Sequence, residues 1–66
     1  MTVLLNGAVI EVAPDATVAD VLAAHGVPDR GVAVALSGEV VPRAAWASTR
    51  LREGAVLEVL TAVQGG

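Results

Sequence analysis

One helix signal lies among several β-type runs, and it limits the fold of this chain more than any other segment does. Thr17 has the properties of a helix N-cap, and Asp20, three residues on, can complete a capping box with it. Three apolar residues share the i, i+3, i+4 spacing of a single helical face, namely Val18, Val21 and Leu22. The sequence predicts that this helix ends at His25-Gly26, because glycine suits the left-handed conformation that follows a last helical turn.

Five short runs have the composition of β-strands. The first two flank Asn6-Gly7, the dipeptide that best tolerates the two positive φ angles of a type I′ turn, so the chain is predicted to open with a hairpin. Ser37-Gly38 marks a second turn, and Pro42 ends the short strand after it. The predicted strands are residues 2–6, 8–13, 32–37, 39–41 and 55–63.

The order of these elements is strand, strand, helix, strand, short strand, strand. In a chain of 66 residues the helix must pack on one face of a single mixed sheet, which gives an α+β fold with four or five strands. The chain has no cysteine, so the 55% of its residues that are hydrophobic must supply the stability of this small domain. The one aromatic residue, Trp46, is predicted to cover one end of the core from a turn or a single 3₁₀ winding.

The last predicted strand should present different residues on its two faces, because side chains alternate along a strand. If Glu58 faces water, the core-facing residues are Leu57, Val59, Thr61 and Val63. The residues beside Glu58 on the open face are then Val56, Leu60 and Ala62. These three form either a partner-binding patch or the apolar surface that so hydrophobic a chain cannot hide, and the sequence alone favours neither interpretation.

The charged residues argue against several classes of partner and ligand. Four arginines and no lysine stand against seven acidic residues, and the net charge is -3, whereas nucleic-acid binding requires clustered positive charge. The single histidine, His25, cannot form a metal site alone, and no bound cofactor is predicted. Met1 is followed by neither a basic leader nor a long apolar segment, so we expect no membrane partner and a cytoplasmic location.

The chain ends with Val63-Gln64-Gly65-Gly66, and residues 64–66 are the only segment without a predicted role in the core. We therefore predict a domain of residues 1–63 followed by a flexible tail of residues 64–66. Two terminal glycines occur by chance in about one chain in two hundred at average glycine usage. The tail is either a frayed terminus or the means by which the domain presents the carboxylate of Gly66.

Two separated motifs point to a known family. One is Val-Pro-Arg at residues 41–43 with Trp46 three residues on, and the other is the Val-Gln-Gly-Gly end. Further agreement lies in residues 4–7, 17–22, 32–36 and 53–54. Over its whole length the chain resembles the ThiS-type sulfur carriers of thiamine biosynthesis, which are small β-grasp proteins related in fold to ubiquitin. It departs from the family where Ala55 follows Gly54, because the family often has aspartate there.

The resemblance implies a β-grasp sheet in which the first and last strands pair in parallel at the centre. It also implies that the protein is a co-substrate and not an enzyme. An E1-like adenylyltransferase of the ThiF or MoeB type would use MgATP to convert the Gly66 carboxylate to an acyl adenylate. Sulfur would then displace AMP and leave a thiocarboxylate.

The same resemblance assigns roles to the residues before Gly66. The segment made of Gly65, Gln64 and Val63 would thread into the active site of the partner. The open-face residues Leu60, Ala62 and Val56, which strand alternation and not the resemblance places beside Glu58, are predicted to form the partner-binding patch.

The resemblance implies two further partners and leaves three other functions open. A thiazole synthase of the ThiG type would accept the sulfur, and a cysteine desulfurase or a rhodanese could donate it. The first alternative is a sulfur carrier for another pathway, such as the small subunit of a molybdopterin synthase. The second is a ubiquitin-like modifier joined to target lysines through Gly66, and the third is an interaction module whose tail is incidental.

Overall fold

The computed structural model describes residues 1–61, and residues 62–66 lie outside the described residues. The elements follow one another in the order that the sequence predicts. They are β1 (Thr2–Leu5), β2 (Ala8–Glu11), α1 (Val18–Ala24), β3 (Val32–Leu36), β4 (Glu39–Val40), a 3₁₀-helix (Arg43–Ser48) and β5 (Val56–Thr61).

The strands form one mixed sheet in the order β2-β1-β5-β3-β4. The first and last strands, β1 and β5, lie side by side and parallel, and β5 also pairs with β3 in the antiparallel direction. The two hairpins, β1–β2 and β3–β4, are antiparallel. The predicted α+β fold, with one helix and a mixed five-stranded β-grasp sheet, is therefore confirmed, and β5 occupies the centre of the sheet.

The opening hairpin has the turn that its sequence predicts. Asn6 has a φ of 51° and Gly7 a φ of 84°, which are the two positive angles of a type I′ turn. The turn sets the register of the hairpin, in which Leu5 lies opposite Ala8. A second turn of the same kind joins β3 to β4 at Ser37 (φ 52°) and Gly38 (φ 85°).

Helix α1 begins and ends at the predicted residues. The backbone N–H of Asp20 donates to Oγ1 of Thr17 (3.2 Å), and the N–H of Thr17 donates to Oδ2 of Asp20 (2.9 Å), which completes the capping box. At the other end Gly26 has a φ of 70°, and the N–H of Val27 donates to the carbonyl of Leu22 (2.9 Å). A helix of seven residues is marginal alone, so its stability comes from packing its apolar face on the sheet.

The core lies between α1 and the face of the sheet that α1 covers. Its buried residues are Val3, Ala16, Val18, Val21, Leu22, Val34, Trp46, Leu51, Leu57 and Val59. Trp46 is buried at the edge of this cluster, and its indole Nε1–H donates to the carbonyl of Val41 (2.9 Å), as expected of a residue that closes one end of the core. The 3₁₀-helix that carries Trp46 spans six residues and is longer than the single winding predicted from the sequence.

Two predictions about the strands are wrong in detail. Thr61 was expected to face the core, but it is exposed, because the buried positions of β5 stop at Val59. Alternation identifies the face of a strand, but it does not say how far along that face the core extends. The second strand ends at Glu11 instead of residue 13, although the N–H of Val12 still donates to the carbonyl of Met1 (2.8 Å).

Candidate functional site

The segment predicted to react continues directly from the central strand. Thr61, the last described residue, lies opposite Val32 of β3. The predicted site residues Ala62, Val63, Gln64, Gly65 and Gly66 lie outside the described residues. Gly66 is the fifth residue after Thr61, so a fully extended segment would place it about 17 Å beyond the end of β5.

The side chain of Asn6 reaches from the hairpin turn to the last part of β5. Its Nδ2 donates to the carbonyl of Val59 (3.3 Å), and its Oδ1 accepts from the N–H of Val59 (2.8 Å). The sequence predicted only a turn at Asn6, because nothing near this residue indicates a contact with the last strand. The side chain therefore anchors β5 three residues before residue 62.

The second part of the candidate site is the face of the sheet that α1 does not cover, which we call the open face. Within residues 1–61, all four large apolar side chains with high exposure lie on it. They are Val9 (67% exposed), Val40 (75%), Val56 (42%) and Leu60 (71%). Two of them, Val56 and Leu60, are members of the predicted patch, and Ala62, its third member, lies outside the described residues.

The strand register explains why Val9 and Val40 join this surface. Leu4 lies opposite both Val9 on β2 and Val56 on β5, so these side chains project from the same face. On the other side of β5, Leu60 lies opposite Ala33. Sequence reasoning missed Val9 and Val40 because their place on this face depends on which strands are neighbours.

A shallow hollow of about 190 Å³ lies on the open face. It is floored by small residues of β3, Ala33 and Ala35, and Leu60 and Val40 stand beside it. Glu58 and Asn6 also line it, so its rim includes one carboxylate and one amide. The hollow can accept an apolar side chain from a partner surface.

The edge of the open face carries a second carboxylate, that of Glu11. The hydroxyl of Thr2 donates to Oε2 of Glu11 (2.6 Å), and the N-terminal ammonium of Met1 lies 3.5 Å from Oε1. The hydrogen bond from Thr2 and, after it, the positive charge of the N-terminus lower the pKa of Glu11 below its ordinary value. Glu11 and Glu58 give the open face an acidic character beside its apolar residues.

The described residues offer little else that could carry chemistry. Within residues 1–61 there is no group of three or more His, Cys, Asp and Glu side chains that could hold a metal ion. His25 is the C-cap of α1 and is exposed, in agreement with a structural role. In the same part of the chain, no helix has the length and apolar character needed to cross a membrane.

Comparison with known proteins gives a consistent result. The family model described as the ThiS family matches residues 3–66. The crystal structure of a thiamine biosynthesis protein (ThiS) from Geobacter metallireducens is 33% identical in sequence, with a TM-score of 0.84, and the match covers 100% of both chains. A solution NMR structure of a thiamine biosynthesis protein from Geobacter metallireducens is 32% identical, with a TM-score of 0.81, and the match covers 100% of this chain and 88% of the other. No curated protein matches the chain.

Proposed function

The chain belongs to the ThiS family, and we propose that it carries sulfur as a thiocarboxylate on Gly66 for formation of the thiazole ring of thiamine. The family and the likeness to a thiamine biosynthesis protein support a sulfur-carrier role. The observation on which the proposal mainly rests is that the family match extends through residue 66 and so includes the Gly-Gly end.

The chemistry proposed for Gly66 follows from the poor reactivity of a carboxylate. The carboxylate attacks the α-phosphorus of MgATP in an E1-like adenylyltransferase, pyrophosphate leaves, and an acyl adenylate forms. A sulfide equivalent then attacks the acyl carbon. The bond between this carbon and the phosphate oxygen breaks, and AMP leaves. The chain has no cysteine, so its terminus is the only place where this sulfur can be carried.

In this proposal the C-terminal segment enters the active sites of two different enzymes, and its two glycines suit this role. Glycine has no Cβ, so Gly65 and Gly66 can pass through a narrow slot and adopt backbone conformations closed to other residues. Gln64 and Val63 would line the entrance of that slot. The protein supplies no catalytic group in this scheme and acts as a co-substrate of its partners.

We assign the open face to the adenylyltransferase as its docking surface. Leu60 is exposed near the end of β5 from which the tail continues, Val56 is exposed at the start of the same strand, and Ala62 would extend the same face. Val9 and Val40 widen the apolar area, and a surface of this kind is common where a partner binds. A partner with an apolar ridge and a basic rim would complement it, because the charged residues on this face are acidic.

The sulfur would pass from a donor such as a cysteine desulfurase or a rhodanese, through Gly66, to a thiazole synthase, and we place this sequence of steps in the cytoplasm. Intact-mass measurement after incubation with MgATP, the adenylyltransferase and a sulfur source tests the proposal. Replacement of one oxygen by sulfur at the free terminus is the expected result. A covalent adduct between Gly66 and a lysine would instead support a modifier, and an unchanged mass would support an interaction module.

A second assay distinguishes thiazole formation from another sulfur pathway. The loaded protein is offered separately to a thiazole synthase and to a molybdopterin synthase large subunit. Transfer of sulfur to the thiazole product is expected. Transfer in the molybdopterin reaction alone would support the sulfur-carrier role but would assign it to molybdopterin formation instead of thiazole formation.

A further inference from the structure

The amide of Asn6 takes the place of a peptide group that β1 does not supply. In the parallel ladder between β1 and β5, the N–H of Leu4 donates to the carbonyl of Ala55 (2.8 Å), and the N–H of Asn6 donates to the carbonyl of Leu57 (2.9 Å). If this series continued for two more residues, the N–H of residue 8 would donate to the carbonyl of Val59. The chain turns away at Gly7 before it can do so, because residue 8 begins β2.

The side chain of Asn6 supplies this missing donor and also an acceptor for the N–H of Val59. Its Nδ2 occupies the position of the absent donor and binds the carbonyl of Val59 (3.3 Å), while its Oδ1 accepts from the N–H of Val59 (2.8 Å). A primary amide has one donor and one acceptor arranged in a plane as a peptide group does, so asparagine can continue a ladder for one peptide unit. An ionised aspartate lacks the donor, and glycine lacks both groups.

We propose that Asn6 is a positioning residue for the terminal glycine: it holds the end of β5 in the ladder and so fixes the direction in which the tail leaves the domain. This inference rests on the proposed function, because it assigns a role in delivering Gly66. Residues 62–66 are joined to the domain through Val59, Leu60 and Thr61. The position of this strand end therefore sets the point from which the five residues that end at Gly66 continue.

Asn6 also lines the hollow on the open face, so its effect on delivery has to be separated from any effect on docking. Asn6 lies in the hairpin turn, and its hydrogen bonds are to the backbone of Val59. The most exposed apolar residues of the proposed docking surface, Val40 and Leu60, take no part in these bonds. Loss of the bonds to Val59 should lower the kcat of the bound carrier, since correct placement of the reacting atom contributes to rate, whereas loss of a contact at the rim of the hollow would raise KM.

The test compares Asn6→Gly with two matched controls. Asn6→Gly keeps a residue suited to positive φ and removes the amide. Ser37→Gly makes the equivalent change in the second turn, where the residue has nearly the same φ (52° against 51°). Thr17→Ala removes the cap of α1 and controls for a general loss of stability. Should Asn6→Gly not fold, Asn6→Asp is the second variant, because it keeps an acceptor for the N–H of Val59 but has no donor for the carbonyl.

Two measurements are made on each variant under conditions in which it is folded. Amide hydrogen exchange of the free protein directly reports the hydrogen bond from the N–H of Val59 to Asn6. Exchange at Val59 is expected to accelerate on the order of tenfold in Asn6→Gly and not in the two control variants. Adenylation kinetics with the partner enzyme report delivery of Gly66. The kcat for Asn6→Gly is expected to fall roughly threefold to tenfold, and this fall is distinct from any rise in KM that comes from the rim of the hollow.

The two proposals fail in different ways. Absence of loading in the unmodified protein would overturn the proposed function, and the exchange measurement would still decide whether Asn6 holds Val59. Efficient loading of the unmodified protein together with an unaltered kcat for Asn6→Gly would overturn the positioning role alone. Equal exchange at Val59 in Asn6→Gly and Ser37→Gly would overturn it as well.

Discussion

The side chain of Asn6 is hydrogen-bonded to both the N–H and the carbonyl of Val59, 53 residues away in sequence. It thereby links the first turn of the chain to the end of the last strand. Asn6 forms the type I′ turn together with Gly7 through its backbone, and it extends the sheet through its side-chain amide. The hairpin turn and the base of the tail are in consequence parts of one structural unit.

This linkage predicts a graded loss of stability in variants of Asn6. Asn6→Asp loses one hydrogen bond and Asn6→Gly loses two, and each neutral bond contributes about 0.5–1.5 kcal/mol. We expect Asn6→Gly to lower the free energy of unfolding by roughly 1–2 kcal/mol, since glycine at a positive φ recovers part of the loss. Denaturant unfolding followed by the fluorescence of Trp46, the only aromatic residue, measures the change. Equal stability of Asn6→Gly and Ser37→Gly would contradict it.

Leu57 and Leu60 form a matched pair on the two faces of β5. Leu57 is fully buried (0% exposed), whereas Leu60 is 71% exposed. Leu57→Ala is expected to cost about 2–5 kcal/mol of unfolding free energy, because it removes buried methyl groups and leaves a cavity. Leu60→Ala should stay within about 0.5 kcal/mol of the unmodified protein. Similar losses from the two substitutions would show that the open face is covered in the folded protein.

These two leucines also show what could be predicted from the sequence. Alternation around Glu58 placed Leu57 inside and Leu60 outside, and the turn at Asn6-Gly7 and the cap at Thr17 followed from neighbouring residues. All of these depend on local chemistry, for which one stretch of sequence is sufficient. The helix position was correct because a short chain with one helix has few ways to cover a sheet, whereas the parallel pairing of the first and last strands was implied only by the resemblance to the ThiS-type carriers.

What the sequence did not reveal depends on contacts between distant residues. The bonds of Asn6 to Val59 require the register of β1 against β5, and the place of Val9 and Val40 on the open face requires the strand order. Thr61 was assigned to the core because alternation carries no information on where a core ends. Each of these depends on tertiary geometry that no local pattern encodes.

A charge at Leu60 is expected to weaken partner binding more than folding. Leu60→Glu places a carboxylate beside Glu58 on a surface that would be desolvated by the partner, and burying an unpaired charge is costly. We expect at least a tenfold rise in Kd for the adenylyltransferase, measured by calorimetry. Ala23→Glu is the control, since it adds the same charge to an exposed position of α1. If Leu60→Glu lost stability in proportion to affinity, Leu60 would belong to the core instead.

The stability of the fold in acid should depend on the pair formed by Thr2 and Glu11. The pKa of Glu11 is lowered in the folded protein, first by the hydroxyl of Thr2 and then by the N-terminal charge. A carboxyl group with a lowered pKa stabilises the fold above its unfolded pKa, and this contribution is lost as pH falls through the folded value. Thr2→Val should raise the pKa of Glu11 toward 4.5, as followed by NMR titration. As the pH falls below about 4.5, the free energy of unfolding of Thr2→Val should therefore decrease less than that of the unmodified protein. An unchanged pKa would show that the hydroxyl does not hold the carboxylate in solution.

The position of the terminal carboxylate is the most direct test of the carrier role. Deletion of Gly66, or addition of residues after it, moves or masks the group that MgATP must activate, so we expect sulfur loading to be abolished. Neither change touches a residue of the core, and the unfolding curve reported by Trp46 should match that of the unmodified protein. The same added residues placed before Met1 control for the bulk of the extension and should leave loading largely intact. Loading is read as the exchange of oxygen for sulfur in the intact mass. Normal loading of the protein extended after Gly66 would show that the sulfur is not carried on this carboxylate, and the proposed function would then be wrong.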